Sequence, residues 1–232
     1  MDLRTVYIIA GVLFFCSTLI VFLTSKSPGP HHDDLSSVQP KGLLRNSRFL
    51  AFLGVTAVTL FAIYLPQPFT PNFLQNQQLF SRSTIGILGA AGSLGNAVAT
   101  LLLGSLPSVT GFIAGQIWVL VFCLIFIKSE TPIWFGIGYF FFGGYRLCRS
   151  MVLAIVRPMV HPEQTGLAFG IIETVGAISI IIAPVLAGFL YNKDPYSIYE
   201  ISAGLVSVVI ILNLITYNLY KKRQRKINDL AT

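Results

Sequence analysis

The sequence has little charge for its length. Asp, Glu, Lys and Arg make up 11% of the 232 residues, whereas 54% are apolar and the mean hydropathy is +0.73. A soluble domain carries about 25% charged residues, and a disordered chain combines low hydrophobicity with high net charge. Both classes are therefore excluded, and the composition indicates an integral membrane protein.

Residue patterns that carry out catalysis or bind metals are also absent. Three cysteines, Cys16, Cys123 and Cys148, all lie in apolar runs and form no CxxC pair. We interpret them as small buried apolar residues rather than disulfide partners or metal ligands. The three histidines have no metal-ligand spacing, and no Walker-type loop, HExxH or GxSxG motif occurs. We therefore expect no enzyme, no cofactor and no metal site.

Long apolar runs are what the sequence has instead. A spanning helix needs roughly 20 apolar residues, and membrane β-strands would alternate apolar and polar residues, which these runs do not. Seven runs qualify: Val6–Leu23, Phe49–Pro66, Thr84–Leu106, Val109–Ile127, Pro132–Val156, Gly166–Tyr191 and Tyr199–Tyr220. We expect an all-α, multi-pass protein of the cell membrane with seven transmembrane helices.

Polar segments divide these runs into regions. Residues 24–48 are rich in Ser, Pro, Gly and charge, as in a solvated linker, and residues 67–83 are polar and predict a loop. The sequence predicts one transmembrane helix over residues 1–23, a cytoplasmic linker over 24–48, a six-helix unit over 49–220 and a basic cytoplasmic tail over 221–232. No small-residue cleavage site follows Leu23, so we interpret the first run as a retained span rather than a signal peptide.

The net charge of +7 is interpreted as an orientation signal and not as a nucleic-acid site. Ten Lys and Arg residues fall on the side of the linker and the tail, against four on the other side. The positive-inside rule then places linker and tail in the cytoplasm and Met1 outside. The basic cluster over residues 221–226 is either part of this signal or a binding segment for anionic lipid.

An internal repeat relates the spans. Shifting the third span by 84 residues places it on the sixth, with Gly86 on Gly170, Gly92 on Gly176 and Gly104 on Gly188. The same shift places the second span on the fifth. Because each copy has three helices, the second copy must be inverted in the membrane, a construction found in secondary transporters.

Three features together resemble one six-helix half of a major facilitator superfamily (MFS) transporter, over about residues 41–232. A long charged linker precedes six spans. The short connection Gly104-Ser-Leu-Pro-Ser-Val-Thr-Gly111 keeps the spacing of the family's loop signature. The segment over residues 161–191 is similar to the family's penultimate helix. The first span is similar to the last helix of the preceding half.

The sequence departs from the family pattern in two ways. Ser108, Val109 and Phe112 stand where the signature carries charged residues, so this half cannot form the cytoplasmic charge latch. A complete transporter of the family has about twelve spans, two six-helix halves. We therefore expect this chain to be a C-terminal fragment that works with an N-terminal six-helix half or with a second copy.

Glycines in the third span predict close helix packing. Gly86, Gly89, Gly92 and Gly95 recur at intervals of three residues. Small residues let helix backbones approach closely in lipid, where no hydrophobic force draws helices together.

Three charged residues lie well inside predicted spans: Arg146, Arg149 and Glu173. Each costs at least about 2.5–3.5 kcal/mol near the bilayer centre, so each needs a partner or a function. Counting from the span centres at about 1.5 Å per residue places Arg149 and Glu173 roughly 7 Å to the cytoplasmic side of the midplane. We predict that they form an ion pair. The alternatives are that Arg149 extends to the headgroups and that the Glu173 pair is purely structural.

Arg146 is deeper and has no acid left to pair with. In the family the equivalent helix lines the central cavity, so the resemblance implies that Arg146 faces solute, with Tyr139, Phe142 and Tyr145 as cavity neighbours. An arginine there suits an anionic or carboxylate-bearing small molecule.

We therefore predict transport of a small solute by alternating access in an MFS-type secondary transporter. A seven-helix membrane receptor is one alternative, but no span contains a lysine for a retinal Schiff base. A half-length protein that only assembles with partners is the other.

Overall fold

The structure, a computed structural model, describes residues 3–24, 43 and 45–231. The chain divides into two compact units, Met1–Val38 and Gln39–Thr232. Most of the predicted linker over residues 24–48 lies outside the described residues.

The first unit contains helix α1, Leu3–Thr24. Its apolar part, Tyr7–Leu23, is shorter than the membrane-spanning helices of the second unit. At 1.5 Å per residue, the 22 residues of α1 extend about 33 Å. The helix is apolar on all sides, which is typical of a membrane helix.

The second unit is all-α over its described residues. Its helices are α2 (Ser47–Tyr64), α3 (Thr70–Asn76), α4 (Arg82–Leu103), α5 (Ser108–Lys128), α6 (Pro132–Phe142), α7 (Gly144–Val156), α8 (Thr165–Lys193) and α9 (Ser197–Ala231). Among the described residues, six stretches are long and apolar enough to cross a membrane: α2, α4, α5, α8, residues 132–159 and the first part of α9. The predicted all-helical membrane architecture is confirmed: of the seven predicted spans, the last six are long enough to cross a membrane, and the first is the shorter apolar helix α1.

Two helix starts have side-chain caps. The Asn46 side chain accepts hydrogen bonds from the backbone N–H groups of Arg48 and Phe49 at the start of α2. Ser81 accepts one from the N–H of Thr84 at the start of α4. Such caps satisfy donors that have no partner inside the helix.

The segment over residues 67–83 is not simply the polar loop that the sequence predicts. After α2, Pro66 and Pro68 interrupt the helix, because proline lacks the N–H that a helix interior requires. The chain then forms α3, whose Thr70, Phe73 and Leu74 are buried. The polar residues that suggested a loop occupy the exposed side of this short helix.

The fifth predicted span is a broken helix. It contains α6 and α7, which meet at Gly143 and Gly144 and continue into a 3₁₀ turn over Arg157–Met159. Gly143 lies against α4, where an added Cβ would be 2.7 Å from the Gly92 carbonyl oxygen. Gly144 lies against α5, 2.6 Å from the Trp118 Cβ on the same measure. The glycine pair therefore lets this span touch two neighbouring backbones.

Of the four regularly spaced glycines of α4, two lie close to a neighbouring helix. An added Cβ at Gly95 would be 2.6 Å from the Phe140 carbonyl carbon, and one at Gly92 would be 3.2 Å from the Tyr139 carbonyl oxygen. At Gly86 and Gly89 nothing lies within 4 Å. Close approach is therefore confined to the part of α4 that crosses α6.

Aromatic rings fill the core at the end of the unit where α5 ends and α6 and α9 begin. The Phe126 ring lies 4.6–6.2 Å, centroid to centroid, from the rings of Phe73, Phe122, Phe135, Tyr139 and Tyr199. Rings at these separations prefer tilted and edge-to-face contacts, which add to the burial of apolar area. This cluster anchors α3, α5, α6 and α9 to one another.

Candidate functional site

The three intramembrane charges lie on one exposed surface. Arg149 of α7 and Glu173 of α8 form a salt bridge. Their side chains are 48% and 42% exposed, so the pair lies at the surface of the six-helix unit and not in its core. The structure thus brings together the two residues that the depth estimate placed at one level.

Two tyrosines lie next to these charges, the half-buried Tyr145 and the buried Tyr64. Tyr64, the last residue of α2, lies beside the Arg149 guanidinium. Its ring packs edge-on against Tyr145 of α7, with centroids 6.0 Å apart. We call the surface formed by Tyr145, Arg146, Arg149 and Glu173 the charged face, and Tyr64 lies buried beneath it.

Arg146 has no carboxylate partner among the described residues. Its Nε donates a hydrogen bond to the Tyr145 hydroxyl at 2.9 Å. Its guanidinium carbon also lies 5.6 Å from the centroid of the same ring. Tyr145 therefore holds one edge of the guanidinium, and the exposed terminal nitrogens stay available to a ligand.

The other two predicted neighbours of Arg146 occupy different positions. Phe142 is half-buried and stacks on Tyr145, with centroids 5.0 Å apart and ring planes 29° apart. Tyr139 is only 6% exposed and contacts Phe126 and Phe142. Phe142 and Tyr145 thus form an aromatic layer beside Arg146, and Tyr139 supports that layer from the core.

The residues of α7 fit the orientation that helix packing gives it, with its arginines outward. Arg146 and Arg149 are three residues apart and share one side of the helix. The opposite side carries Gly144, Cys148 and Met151, which contact α5. Small residues on one side and long cations on the other fix the rotation of α7.

Sequence reasoning missed Tyr64 and a hydrogen-bonded amide pair between α5 and α9. Tyr64 lies near the end of an apolar run, and the packing of α2 on α7 places it beside Arg149. Asn213 of α9 donates a hydrogen bond to the side-chain oxygen of Gln116 of α5 at 3.3 Å. Amides inside apolar runs were the available signal, because such side chains join membrane helices by hydrogen bonds.

No group of three His, Cys, Asp or Glu residues that could hold a metal ion occurs among the described residues. A surface depression of about 490 Å³ lies between α5 and α6, away from the charged face.

Comparison with known proteins agrees with this architecture. Residues 52–231, more than three quarters of the chain, match the family model of the Major Facilitator Superfamily. No curated protein matches the chain. With six helices able to span a membrane, this chain is a multi-pass membrane protein that belongs to the Major Facilitator Superfamily, a family of secondary transporters of small solutes.

Proposed function

We propose that the charged face lines the solute pathway of a secondary transporter and that Arg146 binds the anionic group of the solute. The observation that carries this proposal is an exposed arginine inside a membrane span, held by Tyr145 and without an acid partner among the described residues. A guanidinium at such a site accepts a carboxylate through charge-assisted hydrogen bonds.

The exposure of the charged face is also an argument that a second six-helix unit covers it. Arg146, Arg149 and Glu173 are exposed on the six-helix unit, and leaving them in hydrocarbon costs at least about 2.5–3.5 kcal/mol each on insertion scales. A second six-helix unit that encloses a water-filled cavity removes this cost. The partner is an N-terminal six-helix half or a second copy of this chain.

The neighbours of Arg146 suggest the shape of the solute. Phe142 and Tyr145 offer stacked rings beside the guanidinium. An anion with a flat apolar part can contact these rings while its carboxylate meets Arg146. We therefore assign an organic carboxylate as the solute class.

A binding measurement with a neutral matched ligand tests this assignment. The protein is purified from its native membrane in the assembly that it forms there, and binding of benzoate is compared with binding of benzamide. We expect benzoate to bind more tightly, and Arg146→Gln to weaken benzoate binding about tenfold or more, since a charge-assisted hydrogen bond contributes about 1.5–3 kcal/mol.

The matched control is Arg82→Gln, which removes an exposed arginine at the start of α4. Equal binding of benzoate and benzamide, or loss of folding in Arg146→Gln with rescue by Arg146→Lys, contradicts the ligand role of Arg146. A purified chain that takes up solute as a monomer contradicts the need for a second half.

A further inference from the structure

A shallow groove runs along the surface of the second unit between α5 and α6, and its volume is about 490 Å³. On α5 it is lined by Val121, Leu124, Ile125 and Lys128. These residues follow the i, i+3, i+4, i+7 spacing of one helix side. They form an apolar stripe about 10 Å long that ends at a cation.

The other wall of the groove is Trp134 of α6, which is 53% exposed. Tryptophan is enriched at the level of the lipid headgroups, because its ring is apolar and its N–H is polar. Trp134 lies two residues into α6, close to the end of the span. The groove therefore begins at the headgroup level and continues into the hydrocarbon region.

Two opposite charges stand at this headgroup end. Lys128 is the last residue of α5, and Glu130 lies in the short connection to α6. Both are exposed. Neither forms an ion pair with another described residue, although they are two positions apart. They present separate positive and negative groups to whatever occupies the groove.

We propose that this groove binds a zwitterionic phospholipid. One acyl chain lies along the apolar stripe, the Lys128 ammonium pairs with the phosphate, and the Glu130 carboxylate pairs with the cationic part of the headgroup. An anionic lipid would satisfy Lys128 but would leave Glu130 facing an additional negative charge. The groove thus selects lipids by carrying both charges and not by net charge alone.

Trp134 makes the proposal directly measurable. The chain has two tryptophans, so Trp118→Phe leaves Trp134 as its sole tryptophan, which is excited selectively at wavelengths that tyrosine does not absorb. This variant of the full chain is reconstituted into vesicles containing increasing fractions of brominated phosphatidylethanolamine, phosphatidylcholine or phosphatidylglycerol, whose bromines quench tryptophan. We expect the two zwitterionic lipids to quench Trp134 at mole fractions about twofold to fivefold lower than phosphatidylglycerol, the ratio that an exposed ion pair supports.

Charge variants separate a selective site from ordinary boundary lipid. Glu130→Gln should abolish the preference, and Lys128→Gln should weaken quenching by all three lipids. Lys193→Gln, which removes a cation at the end of α8 on the same side of the unit, should change nothing. If Trp118→Phe does not fold, the signal lost on Trp134→Phe in the otherwise unchanged chain gives the same quantity. Equal quenching by all three lipids, or a preference for phosphatidylglycerol, would overturn the proposal.

Discussion

The two sides of α7 differ in packing, exposure and polarity. The side that carries Gly144 and Cys148 packs so closely that an added Cβ at Gly144 meets the backbone and side chain of α5. The side that carries Tyr145, Arg146 and Arg149 is half-exposed and polar. One helix therefore combines a closely packed side with an exposed charged side, and the packed side fixes the direction of the charged one.

Substitutions on the two sides of α7 should therefore have different effects on folding. Substitution on the glycine side displaces backbone, which cannot move without moving a whole helix. Substitution on the arginine side changes charge and hydrogen bonding at a surface. The expected losses of folding free energy are therefore large on the first side and small on the second.

The largest loss of folding free energy is expected for a substitution where α4 meets α6. Gly95→Ala places a Cβ 2.6 Å from the Phe140 carbonyl carbon, and such overpacking typically costs about 1–3 kcal/mol. Because backbone is the obstacle, we expect a loss of about 3 kcal/mol in thermal unfolding in detergent.

The matched control lies on the same helix. Gly89→Ala adds a methyl group where nothing lies within 4 Å, so it should leave stability unchanged or raise it by up to about 1 kcal/mol through helix propensity. Similar losses at both positions would show that the close crossing of α4 and α6 is wrong.

A smaller effect is expected for the ion pair on the charged face. For an ion pair buried in protein, removal of one partner costs about 3–5 kcal/mol. With both side chains more than two-fifths exposed, a double-mutant cycle of Arg149→Gln and Glu173→Gln should give a coupling of only about 0.2–1 kcal/mol in the isolated chain.

The same cycle sharpens the proposed assembly. Once a second half covers the charged face, the water beside the pair is confined to a narrow cavity between protein walls. Screening there is weaker than in bulk solvent, and the coupling should increase. Strictly additive losses in both states would mean that the salt bridge contributes nothing. A coupling that stays unchanged on assembly would mean that the partner does not cover this face.

The smallest structural effect is expected for Tyr145→Phe. This change removes the hydroxyl that accepts the hydrogen bond from Arg146 Nε but keeps the ring that stacks on Phe142. Stability should change by less than about 0.5 kcal/mol, as for most surface substitutions.

Binding should respond to the same substitution. Benzoate affinity should fall about threefold to tenfold, because the guanidinium is no longer held and its ordering then weakens binding. The measurement is calorimetric titration on the assembled protein, and unchanged affinity would contradict a positioning role for Tyr145.

Several features could be predicted from local pattern alone. Apolar run lengths predicted seven spans, including the six of the second unit that the structure contains, because hydrocarbon requires long apolar helices whose backbone is satisfied internally. Counting rise per residue gave the common level of Arg149 and Glu173, which the structure joins. The cost of an unpaired charge in lipid marked Arg146 as a residue that needs a partner or a function.

Other features could not be predicted, because they depend on which helices meet. The α4 glycines look equivalent in sequence, yet only Gly92 and Gly95 face a neighbour closely. The role of Tyr64 depends on the packing of α2 against α7, which brings it beside Tyr145 and Arg149. The polar composition of residues 67–83 predicts a loop, but the segment contains the short helix α3. This helix is held by the burial of Phe73 and Leu74 against residues that are distant in sequence.

The sequence by itself determined the membrane class, the number of spans in the second unit and the identity of its intramembrane charges, because length, hydropathy and charge cost are properties of single segments. Only the tertiary structure decided which side of α7 is packed and which is exposed. That choice results from Gly143 and Gly144 fitting against two neighbouring backbones, and a contact between distant segments is not encoded in the pattern of either one. The same packing places Tyr145, Arg146 and Arg149 together on one surface of the six-helix unit.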